Sequence, residues 1–221
     1  MIVCGIDMAS AKPSTFAFID DKLNVESLVD YGELSKGFVA KLTDSDVSVV
    51  AIDSPLGFPK GMCCLEDSCP CKSLDGNGRL AERELSKMGI SSYYTTKRTI
   101  IKPMIYKAIR WAKFLRHYGF TVIEIYPYAT KVKLFGKPVP SKTKHLSLLK
   151  ELVSGLGFPS DIISKCNHDQ IDSILAAYTG LLHIRGHTDE VGEETESKIV
   201  IPRSIDIAAK RCSQSVMELK L

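Results

Sequence analysis

The sequence lacks any apolar run long enough to span a membrane: SILAAYTGLLHI is too short, and Arg185 follows it. It also lacks the basic flank and long apolar stretch of a signal peptide, so MIVCGIDMAS is expected to be a strand of the mature protein. Seven cysteines, an odd number, without an export signal point to a reducing cytoplasm. Acid is nearly missing from Leu85 to Lys150, where fourteen Lys or Arg face one carboxylate, Glu124. The net charge of +3 hides this separation, since the rest of the chain is acidic. A solvated helix surface explains many charge runs, but the length of this one favours a polyanionic partner. No internal repeat is present. With 221 residues and 44% hydrophobic content, the chain can build a sizeable core without disulfides or metal.

The order of elements suggests an α/β fold. IVCGID and TFAFID, separated by a turn at Lys12-Pro13-Ser14, read as a hairpin, and NVESLVDYGEL supplies a third strand. A short helix near Ser35 to Leu42 leads to VSVVAIDSP, a β-branched run of the kind buried on both faces and stopped by Pro55. After an irregular Gly-, Pro- and Cys-rich section come the helix GRLAERELSKMG, the helix PMIYKAIRWAKFLRHYG and the strand FTVIEIYP. KTKHLSLLKELVSGLG and HDQIDSILAAYTGLLHIRG read as two further helices, and ESKIVIP as a closing strand. One domain spanning 1–221 with an insertion at about 57–103 accounts for this order.

Three acids occupy comparable places. Asp7 ends the first strand, Asp53 ends the buried strand, and Glu124 lies late in the last central strand. Isolated charges among apolar neighbours are costly to desolvate, so a shared cation is an economical explanation. Asp169 and Asp172 are three apart on a helix and reach toward one point. Either Asp169 or Asn167 could instead cap that helix. Oxygen-only ligands select hard ions such as Mg²⁺ or Mn²⁺, which support phosphodiester cleavage.

GIDMASAKPSTFAFID, VVAIDSPLGFP, GRLAERELSKMGI, FTVIEIYPYATKVKLFG and HDQIDSILAAYTG, in this order, resemble the uncharacterised-domain family numbered 429. That family is regarded as ribonuclease H-like and is often labelled predicted nuclease. The resemblance implies a mixed five-stranded sheet carrying acidic metal ligands. It casts Asp7 as the first-strand aspartate and Asp53 as the acid after the fourth strand, and makes Asp169 and Asp172 look like the final-helix pair of RuvC-type resolvases. Glu124, Arg79, Glu82 and Arg83 match recurrent positions of the family.

The insertion carries Cys63, Cys64, Cys69 and Cys71, whose close spacing favours structural zinc. A redox-sensitive thiol group or the packing of small residues would also account for it. Cys4, Cys166 and Cys212 read as core or incidental. Arg79 and Arg83 could grip a phosphate, orient a strand-end carboxylate, or form surface ion pairs. SYYTTKRTIIK interleaves Tyr93 and Tyr94 with Lys97, Arg98 and Lys102, which suits base stacking and phosphate contact, though tyrosines at that spacing also suit a core. His168 could assist proton transfer, but a hydrogen-bonded residue at a helix start is the plainer reading.

The leading expectation is therefore a metal-dependent nuclease acting on DNA or RNA. Asp7, Asp53, Asp169 and Asp172 would hold the ions, Glu124 would assist, and the basic stretch from Lys97 to Lys150 would hold the strand. A non-catalytic nucleic-acid-binding module of the same fold is one alternative. An actin-like or sugar-kinase-like nucleotide-binding protein is another, suggested by GIDMASAKPST but opposed by the lack of a second phosphate loop.

Overall fold

The computed structural model describes residues 1–140 and 144–204, so Cys212 lies outside the described residues. The chain begins with a meander of β1 (Ile2–Asp7), β2 (Ser14–Asp20) and β3 (Val25–Tyr31), in which each strand is antiparallel to the last. Helix α1 (Lys36–Asp44), capped by Ser35, returns the chain to β4 (Val47–Asp53), parallel to β1. Residues 54–79 form no helix or strand, and α2 (Leu80–Lys87) and α3 (Lys102–His117) follow. Then come β5 (Thr121–Ile125), α4 (Pro127–Phe135), α5 (Leu146–Ser154), α6 (Ser160–Ile163) and α7 (His168–Ile184). The hairpin of β6 (Thr188–Val191) and β7 (Ile199–Pro202) completes the described elements.

The sheet order is β3-β2-β1-β4-β5-β7-β6, an α/β architecture with a mixed sheet. Its first five strands run in the order β3-β2-β1-β4-β5, with β3, β2 and β1 antiparallel and β1, β4 and β5 parallel, the mixed five-stranded sheet that was expected. The expected count of five is nevertheless corrected to seven, because β7 pairs with β5 and β6 covers the outer edge of β7. TDEV hides its strand character in sequence: only Thr188 and Val191 face inward, while Asp189 and Glu190 are exposed.

Both faces of the central strands are covered, as their near-continuous apolar composition requires. On one face Val3, Ala17, Ile19 and Val49 meet α7, with α5 and α6 completing that layer. On the other, Cys4, Ile6, Phe16, Val50 and Ile52 meet Phe38 and Leu42 of α1 and Ala108, Trp111 and Leu115 of α3.

The α7 layer is unusually close to the sheet. A Cβ placed on Gly5 would overlap the Ser173 carbonyl oxygen and the Ala177 backbone nitrogen. One at Gly180 would lie 2.8 Å from Cγ1 of Val3, a side chain with some freedom to turn. Asn167 caps α7: its side chain accepts from the Gln170 N–H at 2.9 Å, and the Gln170 side chain accepts from the Asn167 N–H at 2.8 Å. Neither aspartate of the pair is needed as the cap.

Because the Gly5 clash is with backbone, Gly5→Ala should cost about 3 kcal/mol in urea unfolding, the upper range of overpacking. Gly180→Ala, which meets a side chain, should cost about 1 kcal/mol. Equal losses at the two positions would contradict this account of the helix–sheet contact.

Candidate functional site

The parallel register of β1 and β4 sets Asp7 directly beside Asp53. Adjacent strands are about 4.8 Å apart, and alternation sends these two side chains to the same face as Gly5 and Ala51, the face covered by α7. Asp172, in the first turns of α7, is 3% exposed and lines the same cavity of about 730 Å³ as Asp7 and Asp53. Three carboxylates from distant parts of the chain thus share one space at the carboxyl ends of the parallel strands.

Glu124 lines that cavity too, together with Arg79 and Glu82, but reaches it from the other face of the sheet. Its register partner is Ile52, whereas Asp53 is opposite Ile125, so Glu124 is one residue out of step with the aspartates. The Glu124 carboxylate, 3% exposed, is held by both terminal nitrogens of Arg79, at 2.7 and 2.5 Å, and accepts the Leu56 N–H at 2.8 Å. Of the readings open for Arg79, the geometry is that of a clamp on a strand-end carboxylate. Its guanidinium is 1% exposed, and its Nε donates to Glu82 at 2.9 Å. Glu82 in turn accepts the Arg79 N–H at 3.0 Å and both the N–H and hydroxyl of Thr95, at 2.8 and 2.5 Å. Burial works against the Arg79 charge, but the two carboxylates outweigh it and hold the pKa above the usual arginine value. Arg79 is thus a buried cation at the cavity wall, with its guanidinium committed to two carboxylates.

Glu196 joins this network, unforeseen in the sequence. Its carboxylate accepts the backbone N–H groups of Lys60, at 2.5 Å, and Leu80, while its carbonyl accepts from Arg79 at 3.2 Å. It sits in the acidic run EVGEETE, where nothing sets one glutamate apart from its neighbours.

A second unforeseen residue is Lys131. It is 4% exposed and forms an ion pair with Asp172, with its Nζ also 3.5 Å from His168 Nε2. His168 Nδ1 approaches the other Asp172 oxygen at 3.3 Å. Lys131 belongs to α4, a helix announced by Pro127 at its first position and by buried Thr130, Lys131 and Leu134 at helical spacing. Asp169, by contrast, pairs with Lys12 on the surface and does not line the cavity. The i,i+3 pair thus points to two different lysines.

The residues expected to contact nucleic acid do not form one surface: Arg79 is buried and the others have separate surroundings. Tyr93 lines the cavity with Tyr126 and Tyr128, while Tyr94 is exposed elsewhere. Arg98 is exposed and Lys102 half-buried. Lys97 donates to the Cys69 carbonyl, and Arg83 donates to the Gly78 carbonyl at 2.7 Å. Lys107, from the same basic run, is buried against the Trp111 ring at 4.5 Å and donates to Ala9 O and Ser14 Oγ, each at 3.2 Å. Burial pushes its pKa down.

In the irregular loop, the sulfurs of Cys63, Cys64, Cys69 and Cys71 all lie within 4.8 Å of one another. Among the described residues this is the one group of three or more His, Cys, Asp or Glu gathered tightly enough to enclose an ion as it stands; the cavity carboxylates do not form such a group. Cys4 and Cys166 are buried and belong to the two cores.

No protein-family model matches the chain and no curated protein matches its sequence, so the resemblance to the family numbered 429 rests on its motifs. Among solved structures, that of RuvC from Thermus thermophilus is similar at 15% identity, covering 90% of this chain and 99% of that one with a TM-score of 0.44. No described helix is long and apolar enough to cross a membrane.

Replacing Arg79 by Met would strand two buried carboxylates, a loss of about 3–5 kcal/mol. Urea unfolding of Arg79→Met should show that destabilisation, whereas a loss below about 1 kcal/mol, typical of an exposed pair, would remove Arg79 from its central place.

Proposed function

We propose that this protein is a divalent-metal-dependent nuclease that hydrolyses phosphodiester bonds of nucleic acid. The observation that carries the reading is the side-by-side placement of Asp7 and Asp53 in one cavity with Asp172. Their donor chemistry suits Mg²⁺ or Mn²⁺: magnesium commonly binds through one or two carboxylates and keeps several waters for the substrate phosphate to replace. Asp7 and Asp53 are the proposed ligand pair, and Asp172 completes the site once Lys131 moves to the phosphate. The ion would supply an activated water and stabilise the leaving oxygen.

The chain's own groups supply the rest. Lys131 is a buried ammonium at the cavity wall, suited to a non-bridging phosphate oxygen. His168 holds the second oxygen of Asp172 and so fixes that carboxylate's orientation. Tyr93, Tyr126 and Tyr128 offer faces on which unpaired bases stack, and exposed Arg98 and half-buried Lys102 would meet the phosphates. Glu124 has a positioning role here: through Arg79 and the Leu56 N–H it ties the end of β5 to the chain leaving β4. Asp169 takes no part in the ion site.

One observation favours a second reading. Lys131 already neutralises Asp172 without a metal, as would suit a nucleic-acid-binding module without chemistry. The two separate in one experiment with single-stranded and duplex DNA and RNA in Mn²⁺. The nuclease reading expects cleavage that falls to the metal-free background in Asp7→Asn and Asp53→Asn. Asp169→Asn should stay within about threefold of the parent, since it loses a surface pair worth under about 1 kcal/mol. Salt-sensitive binding with no cleavage under any ion would favour the module instead.

A further inference from the structure

We propose that Cys63, Cys64, Cys69 and Cys71 bind one zinc ion as a tetrathiolate, and that this ion fastens the 54–79 loop to the wall of the acidic cavity.

The loop needs such a centre. It runs from Ser54 to Arg79 without a helix or strand, and between Lys60 and Asn77 its one buried residue is Leu65. Long structureless segments are uncommon in a packed fold unless something besides a core orders them. Backbone bonds from Met62 to Pro59 and from Cys69 to Glu66 close two small turns, and one from Leu74 to Lys60 joins the two arms of the loop at its base. What these turns share is a centre, toward which they aim four sulfurs.

The geometry fits zinc. Zinc–thiolate bonds are about 2.3 Å, so a tetrahedral site has sulfur–sulfur edges of about 3.8 Å. Cys63 and Cys69 sulfurs are 3.5 Å apart, and the whole set falls within 4.8 Å, so closure around an ion takes shifts of about 1 Å. A disulfide brings sulfurs to about 2.05 Å and joins them in twos, which leaves the convergence of all four unexplained. Zinc with four thiolates carries two net negative charges. The Lys97 ammonium, on the Cys69 carbonyl, is placed to offset them.

That lysine also makes the link to the cavity. Lys97 lies within the 91–101 segment, whose Ser91, Ser92, Tyr93 and Ile101 line the acidic space. A second link is Tyr106 of α3: its hydroxyl accepts the Leu65 N–H at 2.7 Å, and its ring meets Phe58 edge-on at 5.8 Å. The loop is thereby joined to the 91–101 segment and to α3, whose Met104 also lines the cavity. On this reading, Lys97 serves the metal loop and not a nucleic-acid strand.

The test uses the full chain and reads metal and exchange, so its result is separate from that of the cleavage assays. Metal analysis of the purified protein should find one zinc per chain, lost in Cys69→Ser and Cys71→Ser. Cobalt replacing it should give the intense visible bands of a tetrahedral thiolate site. Stripping zinc should speed amide exchange across 91–101 by about tenfold or more while β1 and β4 stay protected. If the serine variants do not fold, the zinc content and cobalt spectrum of the parent chain still decide. A parent chain without stoichiometric metal and without the cobalt bands overturns the site, as do two disulfides found by mass. Zinc bound with exchange of 91–101 unchanged on its removal overturns the fastening role.

Discussion

The arrangement of the acidic cavity depends on one missing side chain, that of Gly5. With hydrogen there, the backbone of α7 at Ser173 and Ala177 rests directly on β1. Asp7 is two residues further along that strand and Asp172 one residue earlier on that helix. Their proximity is a consequence of the same contact. The small residues of LAAYTG continue the close approach, with Ala176 against Ala51 and Gly180 over Val3. A larger residue at Gly5 would lift the helix and carry Asp172 away from the strand ends, whatever the charges at the site favoured.

Charge compensation is divided between the two faces of the sheet. On the α7 face, Asp172 is balanced by Lys131. On the opposite face, Glu124 and Glu82 share Arg79, and Glu196 closes the network through backbone N–H groups. Such networks exist only when every member is satisfied, because an unpaired charge at these depths costs several kcal/mol. The Arg79 network joins the ends of β4 and β5, the start of α2 and the turn before β7. Arg79, Glu82 and Glu124 thereby also form part of the cavity wall.

How far the sequence discloses this is settled residue by residue. The strand–helix order was legible because hydrophobic period and stop signals are local: Pro55, Gly89, Gly119 and Pro127 all punctuate where an element ends or begins. Asp7 and Asp53 could be matched because each closes an apolar strand. Glu124 looked equivalent because it too sits late in a strand, but which face it takes depends on registering with Ile52 and not Asp53, a tertiary fact. Asp169 and Asp172 share a helix face, yet the helix start is wide enough to send one to Lys12 and the other to Lys131. Helix α4 is hard to read in the sequence because YPYATKVKLFG is short and its lysines mask the periodicity of its buried face. Strand β6 is hidden because its middle residues are acidic.

The basic run from Leu85 to Lys150 shows why charge counted along a sequence overstates charge on a surface. Lys131 is a counterion to Asp172, Lys107 is enclosed by Trp111, Ala9 and Ser14, and Lys97 is bound to the Cys69 carbonyl. Lys137 and Lys150 donate to the Gly89 and Ser164 carbonyls as well, but at the surface, where their charge still meets solvent. Side chains committed inside the fold release no counterions when a polyanion arrives, so they add nothing to salt-dependent affinity. The part of the run that remains outside includes Arg98 and half-exposed Lys102, beside the tyrosine-lined cavity. Exposed Lys87, Arg110, Lys113 and Arg116 also keep part of the run's charge on the surface, so the count along the chain overstates the surface charge without abolishing it. The cavity takes its character from other groups, the aspartates Asp7, Asp53 and Asp172 and the tyrosines Tyr93, Tyr126 and Tyr128 that line it.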